Sequence, residues 1–138
     1  MNVPQRILIV DDHPAVREGL KAILHFHPNF DIVGEAADGL EALYFVERLQ
    51  PDLVLMDLSM PRMDGMAATR EIKKKMPGIK ILVFTNNNSP EYQTAASNAG
   101  ADGYLLKDSN SAELIQAIQD ILDGKQGFDT RVLGETAH

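Results

Sequence analysis

The chain has no cysteine and no tryptophan among its 138 residues. Without cysteine, a disulfide-stapled secreted scaffold is excluded. Long hydrophobic runs are also missing: the longest span about four residues, against the roughly 20 a membrane helix needs. The first residues are polar and show no signal-peptide core, so a soluble, cytoplasmic protein with no membrane contact is expected. Basic residues are in deficit, 13 against 20 acidic, for a formal charge of −7. That balance argues against a broad surface for nucleic-acid phosphates, so DNA contact by this segment itself is not expected. No internal repeat or low-complexity tract is present. What remains, 44% hydrophobic and 24% charged residues, is the composition of one globular domain that buries about two thirds of its unfolded surface.

Four apolar runs, residues 7–10, 53–56, 79–84 and 103–106, read as strands buried on both faces, which favours a parallel sheet. A weaker run at 31–36 reads as an edge strand. Helical stripes lie between them: Val16, Leu20, Ile23 and Leu24; Leu43, Val46 and Leu49; Leu114, Ile115, Ile118, Ile121 and Leu122. A further helix over 89–99 would turn Tyr92, Ala95, Ala96 and Ala99 inward. Pro14 suits a first helical position, Ser89 a cap, and Asn110 with Glu113 a capping box. Pro51, Pro77, Gly100 and Gly124 mark stops. Strand and helix alternate five times, which predicts an α/β fold: a doubly wound, five-stranded parallel sheet with flanking helices. The domain is expected to fill residues 1–124, with 125–138 a linker or tail.

At the carboxyl ends of the strands stand Asp11 and Asp12, Asp57, Thr85 and Lys107. Ligands of open α/β sheets bind at those ends, where the winding reverses, so these side chains are expected to converge. Two carboxylates about 4 Å apart repel by roughly 4 kcal/mol at an effective dielectric near 20, so a bound cation is implied. Oxygen donors suit Mg²⁺ sharing the crevice with a phosphoryl group, to which Lys107 adds charge and Thr85 a hydroxyl. Any one such aspartate is most often a turn former or helix cap; the five residues together carry the inference.

The stretches ILIVDDHPAVREGL, LVLMDLSMPRMDG, ILVFT and GADGYLLKD, in that order and spacing, resemble the receiver domain of two-component response regulators from about Arg6 to Gly124. DDHPAVREGL, VGEAADG and GADGYLLKD are similar to the NarL/FixJ branch, whose members carry a LuxR-type DNA-binding output domain. No output domain is expected in this chain. The resemblance implies a flavodoxin-like fold and a phosphorylation switch. In it Asp57 takes a phosphoryl group from a sensor histidine kinase, and Asp11, Asp12, Asp57 and the Ser59 carbonyl hold Mg²⁺. Lys107 would contact the phosphoryl group, Thr85 would turn towards it, and Tyr104 would be the switch aromatic. It further implies catalysis only of the domain's own phosphorylation and dephosphorylation, a homodimer on phosphorylation, and transcription regulated through the output domain. Asp108 stands where many receivers have a cis proline, leaving that isomer open, and Asn86, Asn87 and Asn88 replace the small residue common after the threonine, which predicts a mobile loop.

The same carboxylates could serve an aspartate-nucleophile, Mg²⁺-dependent phosphohydrolase. Such enzymes resemble one another in a second acid two residues after the nucleophile, and Ser59 stands there instead. A flavin module of similar topology would want a Ser/Thr/Gly-rich phosphate loop and aromatic walls, and three carboxylates would repel the phosphate. His13 follows the acid pair and has a ligand role open to it, but reads more readily as a solvent-facing loop residue; His25 and His27 read as surface residues, and Lys73, Lys74 and Lys75 as a solvated helix face.

Overall fold

Continuous apolar runs bury both faces of a strand only if helices cover both faces of the sheet, and the chain folds this way. The computed structural model describes residues 3–128. The strands are β1 (Gln5–Val10), β2 (Phe30–Ala36), β3 (Leu53–Met56), β4 (Lys80–Thr85), β5 (Gly103–Leu106) and β6 (Gly127–Phe128). Between them lie helices α1 (Pro14–His25), α2 (Gly39–Leu49), α3 (Gly65–Lys75), α4 (Pro90–Asn98) and α5 (Ser111–Leu122). All pairings are parallel, in the order β2-β1-β3-β4-β5-β6.

Alternate residues of each strand feed two cores. On one face Leu8, Val10, Val54, Met56, Ile81, Val83 and Tyr104 pack with Ala42 and Val46 of α2, Ala68 and Ile72 of α3 and Ala96 of α4. On the other, Ile7, Ile9, Leu53, Leu55, Leu82 and Phe84 pack with Leu20 and Leu24 of α1 and Leu114, Ile118 and Ile121 of α5. The capping box of Asn110 and Glu113 forms as expected. Asp38 and Asp64 cap α2 and α3 through their side chains.

The structure corrects four expectations. The sheet has six strands, because Gly127 and Phe128 pair with Gly103 and Tyr104 past the expected boundary at 124; two residues carry no periodicity to betray them. In α4 Ala96, and Ala99 just past its end, are buried as expected, but Gln93 takes the other inward position and Tyr92 is half exposed. Ser89 precedes α4 but its hydroxyl donates to Glu91 instead of accepting a cap bond. Lys73 leaves the solvated face: its ammonium donates to the carbonyls of Pro77 and Ile79 and to Asp102 at 3.0 Å.

Candidate functional site

Winding reverses between β1 and β3, neighbouring strands that send the following chain to opposite sides of the sheet, so the first residues past them face one crevice. Asp11 and Asp12 follow β1 and Asp57 follows β3. The Asp57 N–H donates to the Val10 carbonyl at 2.9 Å, which ties the two strand ends together. Gly65 seals the arrangement from below: its N–H donates to the Leu58 carbonyl, and a Cβ there would overlap the Asp57 carbonyl oxygen. Only glycine fits so close an approach of backbone to backbone.

The acidic side chains converge. One ligand atom from each of Asp11, Asp12, His13 and Asp57 lies within 4.8 Å of the others. Asp11 and Asp57 are buried, at 2% and 4% exposure. Lys107, delivered by β5, places its ammonium 2.7 Å from Asp11 Oδ2 and 3.5 Å from Asp57 Oδ1. Burial raises the Asp57 carboxyl above the ordinary range; Lys107 pulls against that shift, and the Asp11 charge adds to it. Asp12 Oδ1 is buried yet accepts no hydrogen bond, although His13 Nδ1 stands 3.1 Å from it and from Asp11 Oδ1. A buried carboxylate oxygen without a donor, beside two further carboxylates, fits an oxygen-seeking divalent cation.

Thr85 ends β4, is 2% exposed, and accepts a hydrogen bond from the Asn87 N–H at 3.3 Å. Its backbone carbonyl accepts from the Lys107 N–H at 2.8 Å. Tyr104 is fully buried, and its hydroxyl donates to the Asn87 carbonyl at 2.7 Å. Burial pushes the Tyr104 phenol up to about 12, with Tyr92 nearby adding to the shift. Asn87 Oδ1 in turn accepts from the Ser89 N–H, so the middle of the asparagine loop is held at several atoms. Ser59 lies exposed in the loop after Asp57. Among the described residues every peptide bond is trans, including Lys107–Asp108.

Residues 7–119 match the family described as response regulator receiver domain. The chain is a response regulator receiver domain. Within that family it sits in the NarL/FixJ branch: it is 40% identical over 119 residues to the transcriptional regulatory protein DegU of Brevibacillus brevis, and 38% identical over 122 residues to the nitrate/nitrite response regulator protein NarL of Escherichia coli strain K12. Those matches cover 86% and 88% of this chain but 50% and 56% of the relatives, so the receiver spans about half their length. Among solved structures, a two-component response regulator of the LuxR family from Aurantimonas sp. SI85-9A1 superposes with a TM-score of 0.92 at 40% identity, over 98% of this chain and 96% of that one. Among the described residues no helix of the receiver is long and apolar enough to cross a membrane.

Two further residues support the acid pair. His13 has an exposed ring, as a loop residue facing solvent should, but its Nδ1 stands 3.1 Å from an oxygen of each acid. Arg17 donates from its guanidinium to the Asp11 carbonyl and, through Nε, to Glu35 at 3.0 Å. It moors the acid pair to the end of β2. Adjacency in the DDH triplet already places His13 beside the acids; Arg17 is six residues from Asp11 and carries no such signal, because only the α1 turn brings it back.

Proposed function

We propose that this receiver is a phosphorylation switch in which Asp57 accepts a phosphoryl group from a sensor histidine kinase. The observation that carries the reading is a buried Asp57 carboxylate 3.5 Å from the Lys107 ammonium, with Asp11 and Asp12 in the same cluster. An Asp57 oxygen attacks phosphorus, the new O–P bond forms as the N–P bond of the phosphohistidine breaks, and the imidazole nitrogen leaves with the electron pair. Such a transfer needs positioning and charge neutralisation more than proton movement. Lys107 holds the phosphoryl oxygens once its ammonium turns from Asp11, and the Thr85 hydroxyl exchanges its bond with Asn87 for one with the phosphoryl group. Asp11, Asp12, Asp57 and the Ser59 carbonyl would hold Mg²⁺, which supplies neutralisation of the developing negative charge. Loss of the Thr85 bond to Asn87 loosens the loop that Tyr104 braces, which carries the signal to α4 and β5. The receiver catalyses only its own phosphorylation and the hydrolysis that resets it. Its relatives' names as transcriptional regulators support an output through DNA bound by a separate domain, with a homodimer as the phosphorylated form.

Intact-mass measurement after acetyl phosphate and Mg²⁺ treatment tests this. The expected product carries one phosphoryl group, lost in Asp57→Asn and in excess EDTA. Labelling that survives either change overturns the assignment, and steady turnover of many phosphomonoesters would mark a phosphohydrolase instead.

A further inference from the structure

The loop between β3 and α3 starts at Asp57 and ends beneath the start of α2. Near that far end Arg62 has φ 64°, a left-handed conformation that a non-glycine residue adopts only when its surroundings hold it there. What holds it is Asp38. Arg62 Nε donates to Asp38 Oδ2 at 2.6 Å, and Nη2 contacts the same oxygen. The other oxygen, Oδ1, accepts from the Glu41 N–H at 2.9 Å and caps α2, so capping and ion pairing use separate atoms. Burial opposes the Asp38 charge, but the bonds from Glu41 and Arg62 outweigh it and hold the carboxyl below its ordinary range. One residue on, the Gly39 N–H donates to the Met63 carbonyl at 2.8 Å, and a Cβ on Gly39 would overlap that carbonyl.

The loop is therefore fastened at both ends, at Asp57 and Leu58 by β1 and Gly65, and at Arg62 and Met63 by the N-terminus of α2. Between them lie only Ser59, Met60 and Pro61, and the proline ring fixes one of the remaining torsions. We infer that Asp38 and Arg62 form a positioning pair for the metal end of the acidic site, holding the loop in the shape that presents the Ser59 carbonyl beside Asp57. The inference rests on the proposed reading that Ser59 and Asp57 share a Mg²⁺ ion. Arg62 is more than half exposed while Asp38 is buried and also bonded to the Glu41 N–H, so solvent screens the pair at its Arg62 end and its share of global stability is modest; its main effect falls on the geometry of the ligands it supports.

Asp38→Asn keeps the capping oxygen and removes the ion pair; Arg62→Gln removes it from the other side. By calorimetry each is expected to weaken Mg²⁺ binding about tenfold, the lower end for groups that orient metal ligands, while the melting point stays close to wild type. The double variant loses no more than Arg62→Gln alone, because that change already removes the Asp38 pair together with the longer 3.8 Å contact of Arg62 to Glu41. Acetyl phosphate labelling slows at low Mg²⁺ and recovers at saturating Mg²⁺, a split that a merely structural role would not give. Unchanged Mg²⁺ affinity in both variants, or additive losses in the double variant, overturns the pair. Wild-type protein that binds no Mg²⁺, or whose binding survives Asp12→Asn, overturns instead the metal site itself.

Discussion

Replacing Asp57 with asparagine keeps the shape of the side chain and removes one charge from a crowded crevice. With no metal bound, three carboxylates there face one ammonium, their ligand atoms within 4.8 Å of each other and Lys107 3.5 Å from Asp57. At an effective dielectric of about 20, a carboxylate at the 4.8 Å limit repels the Asp57 charge by roughly 3.5 kcal/mol and Lys107 attracts it by roughly 5 kcal/mol; burial, which outweighs Lys107 and to which the Asp11 charge adds, leaves the ionised form disfavoured. Solvent screens part of the contribution of half-buried Asp12, so Asp57→Asn in EDTA is expected to gain about 1–2 kcal/mol, or roughly 4–8 °C in melting temperature. The gain depends on pH. Because the native Asp57 pKa is raised, the folded state binds this proton more tightly than the unfolded chain. Wild-type stability from this group is thus fully present below the unfolded value of about 3.9 and is lost as pH rises through the native value. Asparagine suffers no such loss, so the advantage should be largest near neutrality and shrink on acidification. Circular-dichroism melts in EDTA from about pH 8 down to about pH 4.5 measure it. A variant less stable than wild type at neutral pH, or an advantage that does not shrink in acid, refutes the electrostatic argument and makes Asp57 a structural residue.

Gly65→Ala forces a Cβ into the Asp57 carbonyl and should cost about 3 kcal/mol or more; labelling of Asp57 should fall with it, and wild-type melting and labelling would show the contact to be loose. Tyr104→Phe removes the donor to the Asn87 carbonyl, a loss of about 1–2 kcal/mol, with faster hydrogen exchange at residues 86–89; unchanged exchange there would mean the bond does not brace the loop. Phosphorylation, or its beryllofluoride mimic, should alter hydrogen exchange most over residues 86–104 and little in α1 and α2, because α4 buries only Gln93 and Ala96 and opens at low cost. Thr85→Ala should uncouple that change while Asp57 is still labelled, and a uniform response along the chain would rule out this route.

The apolar runs and the acids at their ends were legible because both are local. A four-residue run such as 53–56 must be buried on two faces, and an aspartate directly after it can only stand at the sheet's carboxyl edge. Features made by distant partners left no local mark. Arg62 and Asp38 are 24 residues apart, Lys73 and Asp102 are 29 apart, and each lysine or arginine reads in isolation as a solvated charge. One inward position of α4 departs from its hydrophobic pattern for a related reason: hydrophobicity nominates Tyr92 beside Ala96 and Ala99, but the helix buries Gln93 and leaves both of its amide atoms without partners. Strand β6 is specified by its pairing with β5 and by the Gly127 N–H bond to the Asp102 carbonyl, not by any pattern of its own.

The burial of Tyr104 also gives the protein an optical indicator of its own. With no tryptophan to dominate emission, the near-ultraviolet signal comes mainly from three tyrosines. Two of them, Tyr44 and Tyr92, are half exposed, whereas Tyr104 is sealed and hydrogen-bonded to a backbone carbonyl. Burial, with Tyr92 nearby, pushes the Tyr104 phenol up to about 12, so a tyrosine that ionises late in an alkaline titration reports that the Tyr104 side chain is still sealed in the core, read from the unlabelled native chain.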